Sequence, residues 1–182
     1  MQRRKSLELI AGFSPFFLVT NSSIGDQVLD SSEWLANFKI RWNNSRIYCF
    51  EIFDAMPLTD FSFKPNPEIM SFGKLFVHIG SSLYGYASVL DGSHPDNEAV
   101  STKKTEVSDY LDSAFTRFNN ALDNIIVEKL YDIKHAKSDE EPWKEFSIFD
   151  IITLGYNHTT HHIAQATVYL RLRNIVPPKY RF

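Results

Sequence analysis

The sequence predicts an all-α fold, a four-helix bundle. Three observations predict it. Apolar residues recur every three or four positions in four separate stretches, no stretch alternates apolar and polar residues as a half-buried strand would, and the turn-forming residues fall between the stretches. The chain has 182 residues, 43% of them hydrophobic, with 7 Gly and 8 Pro, so it can build one core. A chain of about this size removes roughly two-thirds of its unfolded surface from water.

The first stretch opens at Asp30, Ser31, Ser32 and Glu33, where oxygen side chains can meet the free N–H groups of a helix start. Its apolar positions are Trp34, Phe38, Trp42, Cys49, Ile52, Phe53 and Met56, and Pro57 stops it. Thr59 to Pro67 reads as an extended connector. Asn66, Pro67 and Glu68 then supply an N-cap, a first-turn proline and an acid at the positive dipole end, so the second helix is expected from Pro67 to Leu90. The third is expected from Thr102 to Leu130, with its stripe at Val107, Leu111, Ala114, Phe118, Leu122 and Ile125. The charged run from Asp132 to Lys144 reads as a solvated loop. The fourth helix starts near Ser147 and Asp150, a second capping-box pattern, and ends before Pro177 and Pro178.

At the N-terminus, Arg3, Arg4 and Lys5 precede a mostly apolar stretch from Leu9 to Thr20. That order suits an export signal, and Arg3 with Arg4 resembles a twin-arginine one. Glu8 interrupts it and no clean small-residue cleavage site follows, so a disordered tail is the other reading. Residues 1–22 are therefore set apart as export signal or tail, and 30–182 as the bundle domain. An exported product would be periplasmic, a retained one cytoplasmic. The apolar stretch falls short of the ~20 residues that span a bilayer, and no later segment comes close.

Charge and cysteine content exclude several functions. The net charge of −3 argues against an electrostatic grip on nucleic acid or an anionic membrane. One cysteine, Cys49, excludes an internal disulfide and any multi-thiolate zinc site. Six histidines remain as soft-metal or general-base groups.

On the fourth helix the spacing selects one continuous seam: Ile151, Gly155, His158, His162, Gln165, Tyr169 and Leu172. His158 and His162 stand four residues apart in that seam, so their rings can converge. His161 belongs to a neighbouring stripe with Leu154 and Val168. Burying two imidazoles without partners costs several kcal/mol, a cost that a shared metal removes. Two ligands rarely suffice, and the inward stripe of the second helix offers His78 as a third, beside Leu75, Ser82, Gly85 and Tyr86. Hydrogen-bonded core histidines are the competing explanation. His94 and His135 lie in loop-like, charged surroundings.

The residues around these histidines resemble the DinB family, also called the DinB/YfiT-like metalloenzymes. Phe61 to Pro65 with Ser71 to Ile79 is similar to the family's connector into its second helix and first ligand histidine. Asn157 to Gln165 is similar to its N-H-x-x-H-H-x-x-Q block, and Tyr169, Leu170 and Arg171 followed by Pro177 and Pro178 to its C-terminal signature. The likeness runs from about Ser31 to Phe182. It implies a four-helix bundle of the DinB/YfiT type holding one divalent ion, zinc or nickel, on His78, His158 and His162. Much of the family has Arg-Gly-Gln where this chain has Ile163, Ala164 and Gln165, so a substrate contact by that arginine is not carried over.

Three neutral nitrogens leave a divalent ion uncompensated, with a position open to water or substrate, as catalytic sites require. The resemblance implies a thiol-dependent transferase or a hydrolase on a small molecule, with a low-molecular-weight thiol as a candidate partner and a homodimer as a candidate assembly. Gln165, Tyr86 and Tyr169 share the histidine stripes and are candidates for supporting the ligands or touching substrate. No residue is assigned as catalytic acid or base, because no carboxylate lies on either seam. The alternatives are a metal-stabilised, non-catalytic binding or stress-response module and a purely structural helical protein.

Overall fold

Helix α1 covers Ser31–Ala55 and buries Leu35, Phe38, Trp42, Cys49, Ile52 and Phe53 along one face. The computed structural model describes residues 30–94, 103–134 and 145–181, so the segment read as an export signal or tail lies outside the described residues, as does His135. At the C-terminal end of α1 the carbonyls of Asp54 and Met56 accept from Lys104 Nζ at 3.1 and 2.7 Å. A cation thus sits at the negative end of the helix dipole, over the Phe53 ring.

A single 3₁₀ turn, Leu58–Asp60, interrupts the expected extended connector. Helix α2 then covers Phe72–Asp91, starting five residues later than the Pro67 expectation. Competition for backbone N–H groups explains the shift. Asn66 Oδ1 accepts from the Glu68 N–H at 2.9 Å, a local Asx turn that replaces a helical start. The Phe72 and Gly73 N–H groups donate back to the carbonyls of Phe63 and Phe61, both at 2.9 Å. Ser71 takes the cap, its Oγ accepting from the Lys74 N–H at 3.3 Å. At the other end Gly92, with φ of 76°, makes the left-handed stop.

Helix α3 covers Lys104–Asp123 and is shorter than the expected Thr102 to Leu130. Asn124 Nδ2 donates to the Asn120 carbonyl at 2.9 Å, and the β-branched run Ile125, Ile126, Val127 disfavours continuation. A 3₁₀ turn at Val127–Lys129 follows. Of the expected charged loop, residues 135–144 lie outside the described residues. Two short strands that the sequence reading missed flank them: β1, Ile133–Lys134, pairs antiparallel with β2, Phe146–Ser147. Helix α4, Ile148–Leu172, opens on the expected capping box, Ser147 Oγ accepting from the Asp150 N–H at 3.1 Å while Asp150 accepts from the Ser147 N–H at 3.0 Å. Its Ile148 and Phe149 N–H groups donate to the carbonyls of Asp132 and Leu130, at 3.0 and 2.8 Å.

These four helices form the bundle. Helix α2 lies between α3 and α4, and α1 packs on α4. Trp42 closes the ring by packing tilted against Phe115 and Phe118 of α3 and donating Nε1–H to Asn119 Oδ1 at 2.6 Å. Side-chain pairings give the directions. Lys39 with Asp123 and Arg46 with Asp112 set α1 against α3. Trp34 with Phe149 and Phe38 with Tyr156 set α1 along α4. Tyr169 with Met70 and Tyr86 with His158 run α2 against α4. The expected stripes face inward, with Val107, Leu111, Ala114, Phe118 and Leu122 buried on α3, whereas Leu172 at the end of the α4 seam is exposed.

Two glycines of α2 should respond in opposite directions. A Cβ on Gly73 would fall into the Phe61 ring, which is pinned between Phe53 and Phe72, so Gly73→Ala is expected to destabilise by about 1–3 kcal/mol. A Cβ on Gly85 meets no atom within 4 Å, so Gly85→Ala is expected to stabilise by about 0.5–1 kcal/mol, the helix-propensity difference. Urea unfolding of the two variants beside the parent checks both signs.

Candidate metal centre

The site begins with a close approach of α4 to its neighbours. Gly155, one turn before His158, has no side chain, and a Cβ there would stand 2.9 Å from Phe118 Cζ and 3.5 Å from the Tyr86 ring. Any larger residue would push α4 away from α2 and α3. Lower down, the Tyr169 hydroxyl donates to the Met70 carbonyl at 2.9 Å, tying α4 to the start of α2. Between these two ties the rings of His78, His158 and His162 meet.

Their donor nitrogens all lie within 4.8 Å of one another. Ring centroids are 5.0 Å apart for His78 and His158, 4.7 Å for His78 and His162, and 4.4 Å for His158 and His162. His162 is buried and the other two are half-buried. No carboxylate or thiolate belongs to the cluster among the described residues.

Gln165 orients one of the three. Its Oε1 lies 2.9 Å from His162 Nδ1, and its Nε2 lies 2.8 Å from His161 Nε2. In that orientation His162 donates from Nδ1 and keeps a bare lone pair on Nε2, which faces His158 Nε2 at 3.1 Å. Two nitrogens bound at ~2.0–2.1 Å on a tetrahedral ion stand about 3.3 Å apart, so this spacing suits a pair of metal ligands. His158 Nδ1 is buried and has no hydrogen-bond partner among the described residues, which leaves its ring incompletely satisfied without a further species in the site.

Electrostatics keep the cluster neutral. Burial is the main force lowering the His158 pKa to about 4, with the three neighbouring histidines adding to it. Burial also lowers His78 and His162, although the Gln165 bond opposes the shift at His162. All three therefore present lone pairs rather than charge at neutral pH, as metal binding needs.

The remaining sequence candidates separate. Tyr86 is half-buried beside His158, ring centroids 6.1 Å apart, and burial raises its phenol, so it stays protonated. Tyr169 is buried and spends its hydroxyl on Met70 while its ring packs on Phe63 and Phe72, which assigns it to holding α2 and α4 together. His94 is exposed and gives its backbone carbonyl to Arg117. His161 is exposed and off the seam, as its stripe indicates, yet it completes the chain from His162 through Gln165. That connection was missed. Its sequence signal is a glutamine three residues after one histidine and four after another.

Comparison with known proteins finds the same fold. The family model of the DinB superfamily matches residues 43–166. The chain belongs to the DinB superfamily. Solved structures share its architecture. A DinB-like protein from Bacillus cereus has 18% identity over 80% of this chain and 97% of its own, with a TM-score of 0.68. A DinB-like protein from Bacillus subtilis has 19% identity over 80% and 98%, with a TM-score of 0.66. A conserved protein from Enterococcus faecalis has 20% identity over 78% and 94%, with a TM-score of 0.55. At those identities the likeness concerns the fold alone. A comparison with curated proteins finds no significant match. Among the described residues of this DinB protein, no helix is long and apolar enough to cross a membrane.

The neutral cluster has a measurable pH signature in the metal-free protein. The three folded-state pKa values lie below the unfolded histidine value of about 6.5, so acid favours the unfolded chain. Their contribution is complete above that value and is lost as the pH falls toward the folded pKa, about 4 for His158. Melting temperature is expected to drop between pH 6.5 and 4, and His158→Gln should flatten that slope. An unchanged slope in the variant would place the acid sensitivity elsewhere.

Proposed function

We propose that this DinB protein is a metal-dependent enzyme that binds one divalent ion, zinc or nickel, on His78, His158 and His162. Its reaction on a small molecule is a thiol-dependent transfer or a hydrolysis. The observation that carries the reading is the convergence of three neutral imidazoles with no carboxylate among them. A structural metal site is usually completed by four protein ligands, whereas three leave a position for an exchangeable one. Bound there, a divalent ion supplies a Lewis acid that lowers the pKa of water or holds a thiolate.

The chain's own residues define the rest. Gln165 fixes the tautomer of His162 and so aims Nε2 inward. Gly85 lies on the same helical stripe as His78, two turns along, and no atom lies within 4 Å of where its Cβ would stand, so that end of the stripe is open. Tyr86 keeps its proton and can donate it in a hydrogen bond to negative charge developing near His158. Cys49 cannot act as the nucleophile: it is fully buried in the core and burial pushes its thiol up. A thiol in the reaction must arrive with the substrate.

Metal quantification of the purified, reconstituted protein tests the first step. About one ion per chain is expected, with loss in His158→Ala and His162→Ala, and less than about 0.2 ion per chain would refute the reading. Gln165→Leu should retain the fold and weaken metal affinity about 10–100-fold, the usual cost of removing a ligand's orienting partner. A substrate screen with and without low-molecular-weight thiols then divides the two reactions. Turnover only with thiol supports the transferase, and turnover in water alone supports the hydrolase. Metal that raises the melting temperature without any turnover would favour the non-catalytic module.

A further inference from the structure

The opposite face of α4 carries a second feature that the metal reading does not use. A cavity of about 210 Å³ lies between α1, α4 and the C-terminal segment. Its buried wall includes Ser45 and Tyr48 from α1 and Ile163 and Thr167 from α4, while Arg41 and Arg171 stand exposed at its edge. Residues 160, 163, 164, 167 and 171 of α4 line it, and the 3.6-residue period places them away from His158 and His162. The two sites are therefore separated by the thickness of one helix.

Its chemistry is uneven in an informative way. Among the described residues no acidic side chain lines it. Arg181, also on the wall, is already neutralised by Glu51, its Nε and Nη2 donating to the two carboxylate oxygens at 2.9 and 2.5 Å. That pair ties the C-terminal segment to α1, and Tyr180 packs edge-to-face on Tyr48 at 5.3 Å between centroids. Arg41 and Arg171 have no acidic partner among the described residues, so two cationic groups flank a wall of aromatic rings and aliphatic side chains. The Ser45 hydroxyl has no partner among the described residues either, whereas Thr160 and Thr167 donate theirs to the carbonyls of Tyr156 and Ile163.

We propose that this cavity binds a small carboxylic acid with a single-ring body, its carboxylate at Arg171 and its ring against Tyr48 and Ile163. Guanidinium groups match carboxylates in geometry as well as charge. The volume agrees, since an apolar cavity of about 150 Å³ already takes up benzene. Position on the far side of α4 makes this site independent of metal occupancy, and it stands whether or not the metal reading does.

Calorimetric titration of the full chain with benzoate, and with benzamide as the uncharged isostere, tests the proposal. Each titration is run on chelator-treated and on zinc-loaded protein. Benzoate is expected to bind about tenfold or more tightly than benzamide, equally in both preparations, which corresponds to one charge-assisted contact. Arg171→Ala should weaken benzoate about tenfold and Arg41→Ala, at the other end of the cavity, less than about twofold, while Ala164→Trp, a large residue added at an exposed wall position, should abolish binding, with metal content and melting temperature unchanged in all three. Equal affinities for benzoate and benzamide would overturn the proposal. So would benzoate binding confined to zinc-loaded protein, insensitivity to Arg171→Ala or to Ala164→Trp, or no saturable binding at millimolar benzoate.

Discussion

Three imidazoles can share one small volume only if no two of them are charged, and that constraint organises this bundle. Burial keeps His78, His158 and His162 neutral, but burial of polar rings is unfavourable unless each finds a partner. The partners come from two helices, so α2 and α4 must approach closely and hold their register. Gly155 permits the approach, Phe118 fills the space above it, and Trp42 backs Phe118 from α1. A change at Trp42 would therefore be transmitted through a single aromatic ring to the helix that carries two of the histidines.

Register is fixed by a device used twice. Both histidine-bearing helices begin with a serine cap, Ser71 or Ser147, whose hydroxyl accepts from the N–H three residues on. Both also send two early N–H groups back to the preceding connector, to Phe61 and Phe63 in one case and to Leu130 and Asp132 in the other. A helix start normally leaves such donors for water, where it can fray. Here each start is stitched to the chain before it, and the Tyr169 hydrogen bond to Met70 then relates one stitched end to the other helix.

The same device explains what was readable from the sequence and what was not. The α4 start was legible because Ser147 and Asp150 cap each other through three residues of local chain. The inward stripes were legible because burial follows the 3.6-residue period, and the triad followed from those stripes once His78 was placed opposite the pair. The α2 start was not legible. Asn66, Pro67 and Glu68 carry a good local signal, and it lost to long-range bonds from Phe72 and Gly73 that no local pattern encodes. The β1–β2 pair escaped for a related reason: two residues per strand are too few to show alternation. Helix direction, with α1 and α4 running one way and α2 and α3 the other, follows only from which side chains meet.

The departure at Ile163 and Ala164 from the family's usual Arg-Gly gains a meaning from the fold. Ile163 is buried on the face of α4 turned away from the histidines, where it lines the cavity against α1. An arginine at that position would start from the far side of the helix and would have to bring a guanidinium into a wall of apolar groups. In this chain the aliphatic residue keeps that wall apolar, and the positive charge is supplied instead from the exposed edge by Arg41 and Arg171. Helix α4 is thus divided along its length. One face offers uncharged nitrogen lone pairs to a cation, and the other offers fixed positive charge beside an apolar pocket. Because the groups that define each face are separated by a full helix diameter and by solvent-exposed positions such as Asn157 and His161, substitutions on one face should leave the other's chemistry intact.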